Sequence, residues 1–238
     1  HPVAAGLIAA TGRPIAAPSA NISGKPSPTD AQAVWDDMQG KIAGVIDGGS
    51  CGIGVESTVV DTTAAVPMIL RPGGITREML EAVLGAVEVD PALGGQGDFK
   101  PKAPGMKYRH YAPQAAMYLF EGEAVMQIPA VAAKAAAQGI RTGVLCSEKI
   151  AAQLPQAENM LVSAWGQDTQ ALAEKLYSLL RGFDKQQAEL IVAEGVGEDG
   201  LGLAVNRLRK AAGHQIVTVS DGRLCAKSGT LLPEFMLK

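Results

Sequence analysis

An α/β fold in two units is predicted for this chain of 238 residues, on three observations. From residue 116 onward, strand-like runs alternate with helix-like runs at a spacing that argues a parallel sheet flanked by helices. Before residue 89 the runs are shorter and broken by glycine-rich turns. Between the two lies a stretch with Pro91, Gly94, Gly95, Gly97, Pro101, Pro104, Gly105 and Pro113 and little apolar periodicity, the composition of a linker. The expected boundaries are therefore 1–88, a linker at 89–113, a second unit at 114–219, and a tail at 220–238 with no clear pattern.

In the first unit, Val3–Ala10 is apolar and helix-compatible, and a strand is expected around Pro14–Ser19. Ser27 suits an N-cap and Pro28 the first helical position of an amphipathic helix. Strand-like runs follow at Ile42–Ile46, Val55–Val60 and Met68–Leu70, with the glycine-rich residues 47–54 between the first two. A helix over Thr76–Leu84 closes the unit. In the second unit, strands are predicted at Ala116–Phe120, Thr142–Cys146, Met160–Ala164 and Leu190–Ala193. Helices are predicted at Glu123–Gln138, Lys149–Leu154, Thr169–Phe183 and Leu201–Ala212, with one more strand at Gln215–Val219.

Composition narrows the function classes. A hydrophobic content of 47% supplies one large core or two smaller ones, and a net charge of −3 gives no long-range field for a polyanion. Nucleic-acid binding would need the local basic cluster of Lys100, Lys102, Lys107, Arg109 and His110. Cys51, Cys146 and Cys225 are widely spaced with no C-x-x-C pair, so they read as buried or incidental thiols. His1, His110 and His214 have no metal-ligand neighbour at helical spacing, and no metal site is expected. Neither a signal-type N-terminus nor an apolar run of about 18 residues is present, which predicts a cytoplasmic protein with no membrane partner.

Two nucleotide motifs bear on the question. No G-x-x-x-x-G-K-[ST] occurs, so ATP would have to be held in another way. The segment 195–200 matches G-x-G-x-x-G, with Asp221 about 20 residues on, as in dinucleotide sites. Glu198 and Asp199 would however set negative charge where a pyrophosphate sits, and the unit is the last of its domain. A tight strand-to-helix turn is the preferred reading.

Three segments carry more chemistry: residues 16–24 with Ser19 and Asn21, residues 54–60 with Glu56, Ser57 and Thr58, and Leu70-Arg71-Pro72-Gly73. Each sets short polar side chains or an arginine at the end of a strand-like run, where backbone amides also approach an anion. Ser19 and Asn21 alone would be a turn, and Arg71 alone a surface cation. Their joint occurrence with a basic, tyrosine-containing linker points to an anion pocket.

At these residues the sequence resembles the threonylcarbamoyl-AMP synthase family, the YrdC-like enzymes, in the long form with an additional C-terminal domain. The resemblance rests on Ser19-Ala20-Asn21, Ser27-Pro28-Thr29, Asp47-Gly48-Gly49, G-V-E-S-T-V-V at 54–60, L-R-P-G at 70–73, and P-G-M-K-Y-R-H-Y-A-P at 104–113. The segment from Gly200 to Ala212 adds a resemblance to the closing motif of the accessory domain. It implies the C-terminal part of a YrdC-like twisted mixed sheet with helices, followed by a Rossmann-like parallel α/β accessory domain. The implied reaction converts L-threonine, bicarbonate and ATP into threonylcarbamoyl-AMP and pyrophosphate, with magnesium accompanying ATP. The implied next partner is a transferase complex that modifies tRNA beside the anticodon.

Carried over motif by motif, Ser19, Asn21, Ser27, Arg71 and Tyr111 (with Tyr108 as the alternative tyrosine) correspond to ATP contacts, and Ala17 (through its backbone) and Ser57 to threonine contacts. Lys107, Tyr108 and Arg109 correspond to a lid. The family's K-x-R element and a basic strand come before an H-P dipeptide, and this sequence begins at that dipeptide, His1-Pro2. The expectation is one wall of the pocket and no product from these 238 residues alone. Two rivals stand beside it: an RNA-binding module of the same fold, using the linker cluster, and a dinucleotide-binding domain at 114–219.

Overall fold

The computed structural model of the chain describes residues 1–54, 56–94, 112–166, 168–196, 208–209, 211–213, 215–227 and 232–237. Helix α1 (Pro2–Thr11) starts on a proline, is capped by the His1 ring accepting from the Val3 amide, and stops at Gly12 in the left-handed region (φ 61°). None of its residues is buried.

Helix α2 (Ala31–Met38) begins later than the sequence suggests. Asp30, not Ser27, is its cap, accepting from the Ala33 amide at 2.7 Å. Thr29 instead lies buried ahead of the helix, where its carbonyl accepts from the Cys51 amide at 2.8 Å. The predicted strands at Pro14–Ser19 and Ile42–Ile46 form no ladder; both segments lie mostly at the surface, and a strand exists only where a neighbour takes its backbone hydrogen bonds.

A small mixed sheet is formed by β1 (Val59–Asp61), β2 (Met68–Arg71) and β3 (Glu88–Val89), in the order β1-β2-β3. β1 runs antiparallel to β2, and β2 runs parallel to β3. The predicted Val55–Val60 strand thus starts only at Val59. Helix α3 (Arg77–Leu84) carries Thr76 as its cap and ends at Gly85.

The second unit is a six-stranded sheet of β4 (Ala116–Phe120), β5 (Thr142–Cys146), β6 (Met160–Ala164), β7 (Leu190–Glu194), β8 (Ile216–Ser220) and β9 (Arg223–Ala226). The order is β6-β5-β7-β4-β8-β9, all parallel except β9, which runs antiparallel to β8. The unit's first strand lies between its fourth and fifth, whereas the common dinucleotide-binding order sets first and second strands side by side. Met117, Leu119, Phe120, Val144, Leu145, Ile191 and Val192 are all closed to solvent, as expected for parallel strands covered on both faces.

The helices follow from the same burial. The predicted Glu123–Gln138 helix is a 3-10 stretch at Gly122–Gln127 followed by α4 (Ile128–Ala137). Pro129 lacks the amide that an uninterrupted helix would use there. Helix α5 (Glu148–Ala151) is capped by Ser147, and α6 (Thr169–Lys185) by Asp168, whose side chain accepts from Ala171 at 2.8 Å. Leu172, Leu176, Leu180 and Phe183 of α6 are fully buried in the sheet's core. Gly143 of β5 has no room for a side chain because the Phe183 ring lies over it.

Of the residues expected to be a tail, the described ones include a strand and a helix. Asp221 (φ 50°) and Gly222 (φ 72°) make a two-residue turn between Ser220 and Arg223. Positive φ at both positions is the primed turn that matches strand twist, and Asp-Gly is its usual sequence. Asp221, weighed as the acid of a dinucleotide fingerprint, is therefore a hairpin residue. Leu232 and Met236 are buried in the sheet's core, Met236 on helix α7 (Glu234–Leu237). The helix predicted at Leu201–Ala212 lies mostly outside the described residues, though Leu208, Ala211 and Ala212 are buried. No described helix is long and apolar enough to cross a membrane.

Candidate functional site

The end of β2 and the approach to β1 bring Arg71 and Ser57 together. The Arg71 guanidinium donates to the Ser57 carbonyl from Nε (3.2 Å) and Nη2 (3.0 Å), and Nη2 lies 3.3 Å from the Ser57 hydroxyl. Gly73 permits this closeness. A Cβ there would overlap the Thr58 amide and the Ser57 carbonyl carbon, so the L-R-P-G segment packs backbone against backbone on Glu56–Thr58. The Gly74 amide donates to the Glu56 carbonyl at 3.2 Å, and the Thr58 hydroxyl donates to the Ile75 carbonyl at 2.6 Å. A half-buried guanidinium beside an exposed hydroxyl on a braced backbone suits an anionic ligand carrying oxygens to share.

Ala17, Ser19, Asn21 and Ser27 sit on one loop that precedes α2. Asn21 Nδ2 donates to the carbonyls of Ile22 (2.9 Å) and Lys25 (3.2 Å), and the Lys25 amide donates to Ile22 at 3.1 Å. Asn21 thus closes its own turn, and its Oδ1 is buried and accepts no hydrogen bond. Ala17 and Ser19 are exposed, and Ser27 is half-buried next to the buried Pro26. Tyr111, Lys107, Tyr108 and Arg109 lie outside the described residues.

Sequence reasoning passed over the residues that hold this loop. Asp37, on α2, is 3% exposed. It accepts from the Ile22 amide at 3.3 Å, Lys25 Nζ at 3.0 Å and Arg181 Nη2 at 2.7 Å. Burial alone would raise its pKa, but the hydrogen bonds from Arg181, Lys25 and Ile22 outweigh that and hold it at about 2. Arg181, on α6, also donates to the Pro26 carbonyl from Nε (2.9 Å) and Nη2 (2.6 Å). Lys185 pairs with Asp36 at 2.5 Å.

Lys25, Asp36, Asp37, Gln114, Arg181, Asp184 and Lys185 line a cleft of about 340 Å³ between the units. Asp184 accepts from the Gln114 amide at 2.9 Å, and burial pushes its carboxyl pKa up.

Other candidates recede. The Cys146 thiol is buried, and that burial, with Glu194 nearby, pushes its pKa up to about 12, which denies it thiolate chemistry. The Gly195 amide donates to the Phe120 carbonyl at 2.7 Å, and a Cβ at Gly195 would press on that oxygen. This glycine lets the end of β7 lie close against the end of its parallel neighbour β4; residues 197–200 of the same segment lie outside the described residues.

Two family matches cover most of the chain and meet just after β2. Residues 75–213 match the family described as "Threonylcarbamoyl-AMP synthase, C-terminal domain", and residues 1–73 match the family described as "Telomere recombination". A threonylcarbamoyl-AMP synthase of Bacillus subtilis is 46% identical over 218 residues, covering 91% of this chain and 62% of that protein. One of Pyrococcus abyssi is 47% identical over 223 residues, covering 92% of this chain and 64% of that protein. The crystal structure of P. abyssi Sua5 complexed with L-threonine superimposes with a TM-score of 0.79 at 46% identity, over 92% of this chain and 64% of that one. The chain thus spans somewhat under two thirds of the length of these relatives.

Proposed function

The chain belongs to the threonylcarbamoyl-AMP synthase family, and we propose that it carries the ATP- and threonine-binding wall of such an enzyme, forming L-threonylcarbamoyladenylate for tRNA modification. In this reaction the threonine amine and bicarbonate give a carbamate with loss of water. A carbamate oxygen then attacks the α-phosphorus of ATP, and pyrophosphate leaves as the P–O bond to it breaks. MgATP enters as substrate, its metal held by the phosphate oxygens. Such a step depends on positioning and charge stabilisation more than on a protein nucleophile.

The observation that carries the reading is the Arg71–Ser57 contact at 3.0 Å, braced by Gly73. A guanidinium already fixed by the Ser57 carbonyl loses little freedom when it meets a phosphate, and the neighbouring hydroxyl is placed for the threonine. Ser19, Asn21 and Ser27 contribute from the other loop, where the unpaired Asn21 Oδ1 suits a nucleotide hydroxyl or amine donor. Ala17 offers its backbone to threonine. The adenylate product is then passed to a tRNA threonylcarbamoyl transferase complex.

Titration calorimetry of the chain with α,β-methylene-ATP and with L-threonine tests the reading. Binding of both is expected, with Arg71→Ala weakening the nucleotide and Ser57→Ala the amino acid. Absence of both affinities would reject it. Chromatography of a mixture with L-threonine, bicarbonate and ATP decides whether the chain alone forms product.

A further inference from the structure

We infer that helix α6 of the second unit is a positioning element for the candidate site, and that Arg181 sets the course of the loop bearing Ser19, Asn21 and Ser27. The inference rests on the proposed function for the identity of the ligand, but the grip itself is geometric.

The fork of Arg181 divides between two acceptors. Nε and Nη2 reach the Pro26 carbonyl at 2.9 and 2.6 Å, and Nη2 also reaches the buried Asp37 carboxylate at 2.7 Å. That carboxylate in turn accepts the Ile22 amide at 3.3 Å and Lys25 Nζ at 3.0 Å. Pro26 directly precedes Ser27, and Ile22 directly follows Asn21. The segment between the candidate nucleotide contacts is therefore held at both ends by one ion pair, with backbone atoms of the loop among its acceptors and donors. A pair that merely glued two surfaces would grip side chains; this one fixes a backbone path.

Two further contacts come from the same helix. Seven residues before Arg181, two helical turns along the same face, the carbonyl of Glu174 lies so close to Gly54 that a Cβ there would overlap it. Gly54 stands at the root of the segment carrying Ser57. Three residues after Arg181, Asp184 accepts the Gln114 amide at 2.9 Å, just past the linker. Since Leu172, Leu176, Leu180 and Phe183 seat α6 rigidly on its own sheet, what it touches on the other side inherits that rigidity.

Arginine and lysine separate positioning from charge balance. Lysine at 181 keeps a cation for Asp37 but cannot donate a planar fork to two acceptors. Removing the charge alone would strand a buried carboxylate, so the second variant is the paired Asp37→Asn with Arg181→Met, which removes both charges at similar volume. Both variants are compared with the unmodified chain by thermal melting, by amide hydrogen exchange over residues 22–27, and by calorimetry with α,β-methylene-ATP and with L-threonine.

In variants that still melt cooperatively, exchange at 22–27 is expected to rise at least about tenfold. Nucleotide affinity should fall about tenfold and threonine affinity by less, because threonine keeps the Ser57 segment and loses order only at the Ala17 backbone. Unchanged exchange in a cooperatively folded Arg181→Lys protein would overturn the inference, and so would unchanged nucleotide affinity. If the unmodified chain binds no nucleotide, the functional reading fails, and with it the nucleotide part of this inference; the exchange data then judge the grip by themselves.

Discussion

In the second unit the parallel strands β4, β5 and β7 are shut off from solvent almost completely, whereas in the first unit an equally apolar helix, α1, buries no residue. Val3, Leu7, Ile8 and Ile15 stand between 44% and 48% exposed, while Leu176 and Ile191 are at 0%. Apolar composition alone does not make a core. Burial requires an opposing surface, which the second sheet receives on both faces and α1 does not.

The sharpest break in that comparison is a pair of leucines. Leu176→Ala, inside the second unit's core, is expected to cost about 2–5 kcal/mol. Leu7→Ala on α1 should stay within about 0.5 kcal/mol. Denaturant titration of both variants reads the contrast, and equal losses would show that α1 is packed as tightly as α6.

Next in size is Gly54→Ala, which forces a methyl against the α6 backbone and is expected to cost about 1–3 kcal/mol at the contact between units. Calorimetry should then resolve two thermal transitions, with the second unit's unmoved. One unshifted transition would mean that α6 does not bear on Gly54.

The smallest effect is conditional on acid. The Asp37 carboxyl is held at about 2, below its ordinary 3.8. Its contribution is therefore complete above pH ~4 and is lost as pH falls from there through about 2. Asp184 has the opposite sign. Burial raises its pKa, so its ionised form opposes folding as pH climbs past the ordinary carboxylate range. Melting temperature against pH should fall more steeply below pH ~4 in the unmodified chain than in the paired Asp37→Asn, Arg181→Met protein.

Much of the second unit was legible from local pattern. Ala116–Phe120, Thr142–Cys146 and Met160–Ala164 are strands at the predicted bounds, because compact apolar runs between turn residues leave a buried parallel strand few alternatives. The Asp221-Gly222 hairpin was also written in the sequence, but the glycine cluster at 195–200 drew Asp221 into a different pattern. In the first unit, Asp30 displaced Ser27 as a cap because Thr29 is tied to Cys51, a contact no helix signal reveals. The expected strands at Pro14–Ser19 and Ile42–Ile46 had the right residues but no neighbour.

The candidate site divides in the same way. Ser57 and Arg71, 14 residues apart, were both visible as strand-end polar groups, and the structure joins them directly. Asp37 and Arg181 are 144 residues apart and carried no signal, since an acid in an amphipathic helix is ordinarily a solvated one.

By itself the sequence determined the kinds of elements, the family, and which loops hold hydroxyls, an amide and a guanidinium. Those are properties of spacing over a few residues, where backbone geometry repeats. Only the tertiary structure decided that a helix of the second unit reaches across to hold a loop of the first. An ion pair becomes informative when both charges leave water at the same place, and no local pattern specifies where two distant segments will meet.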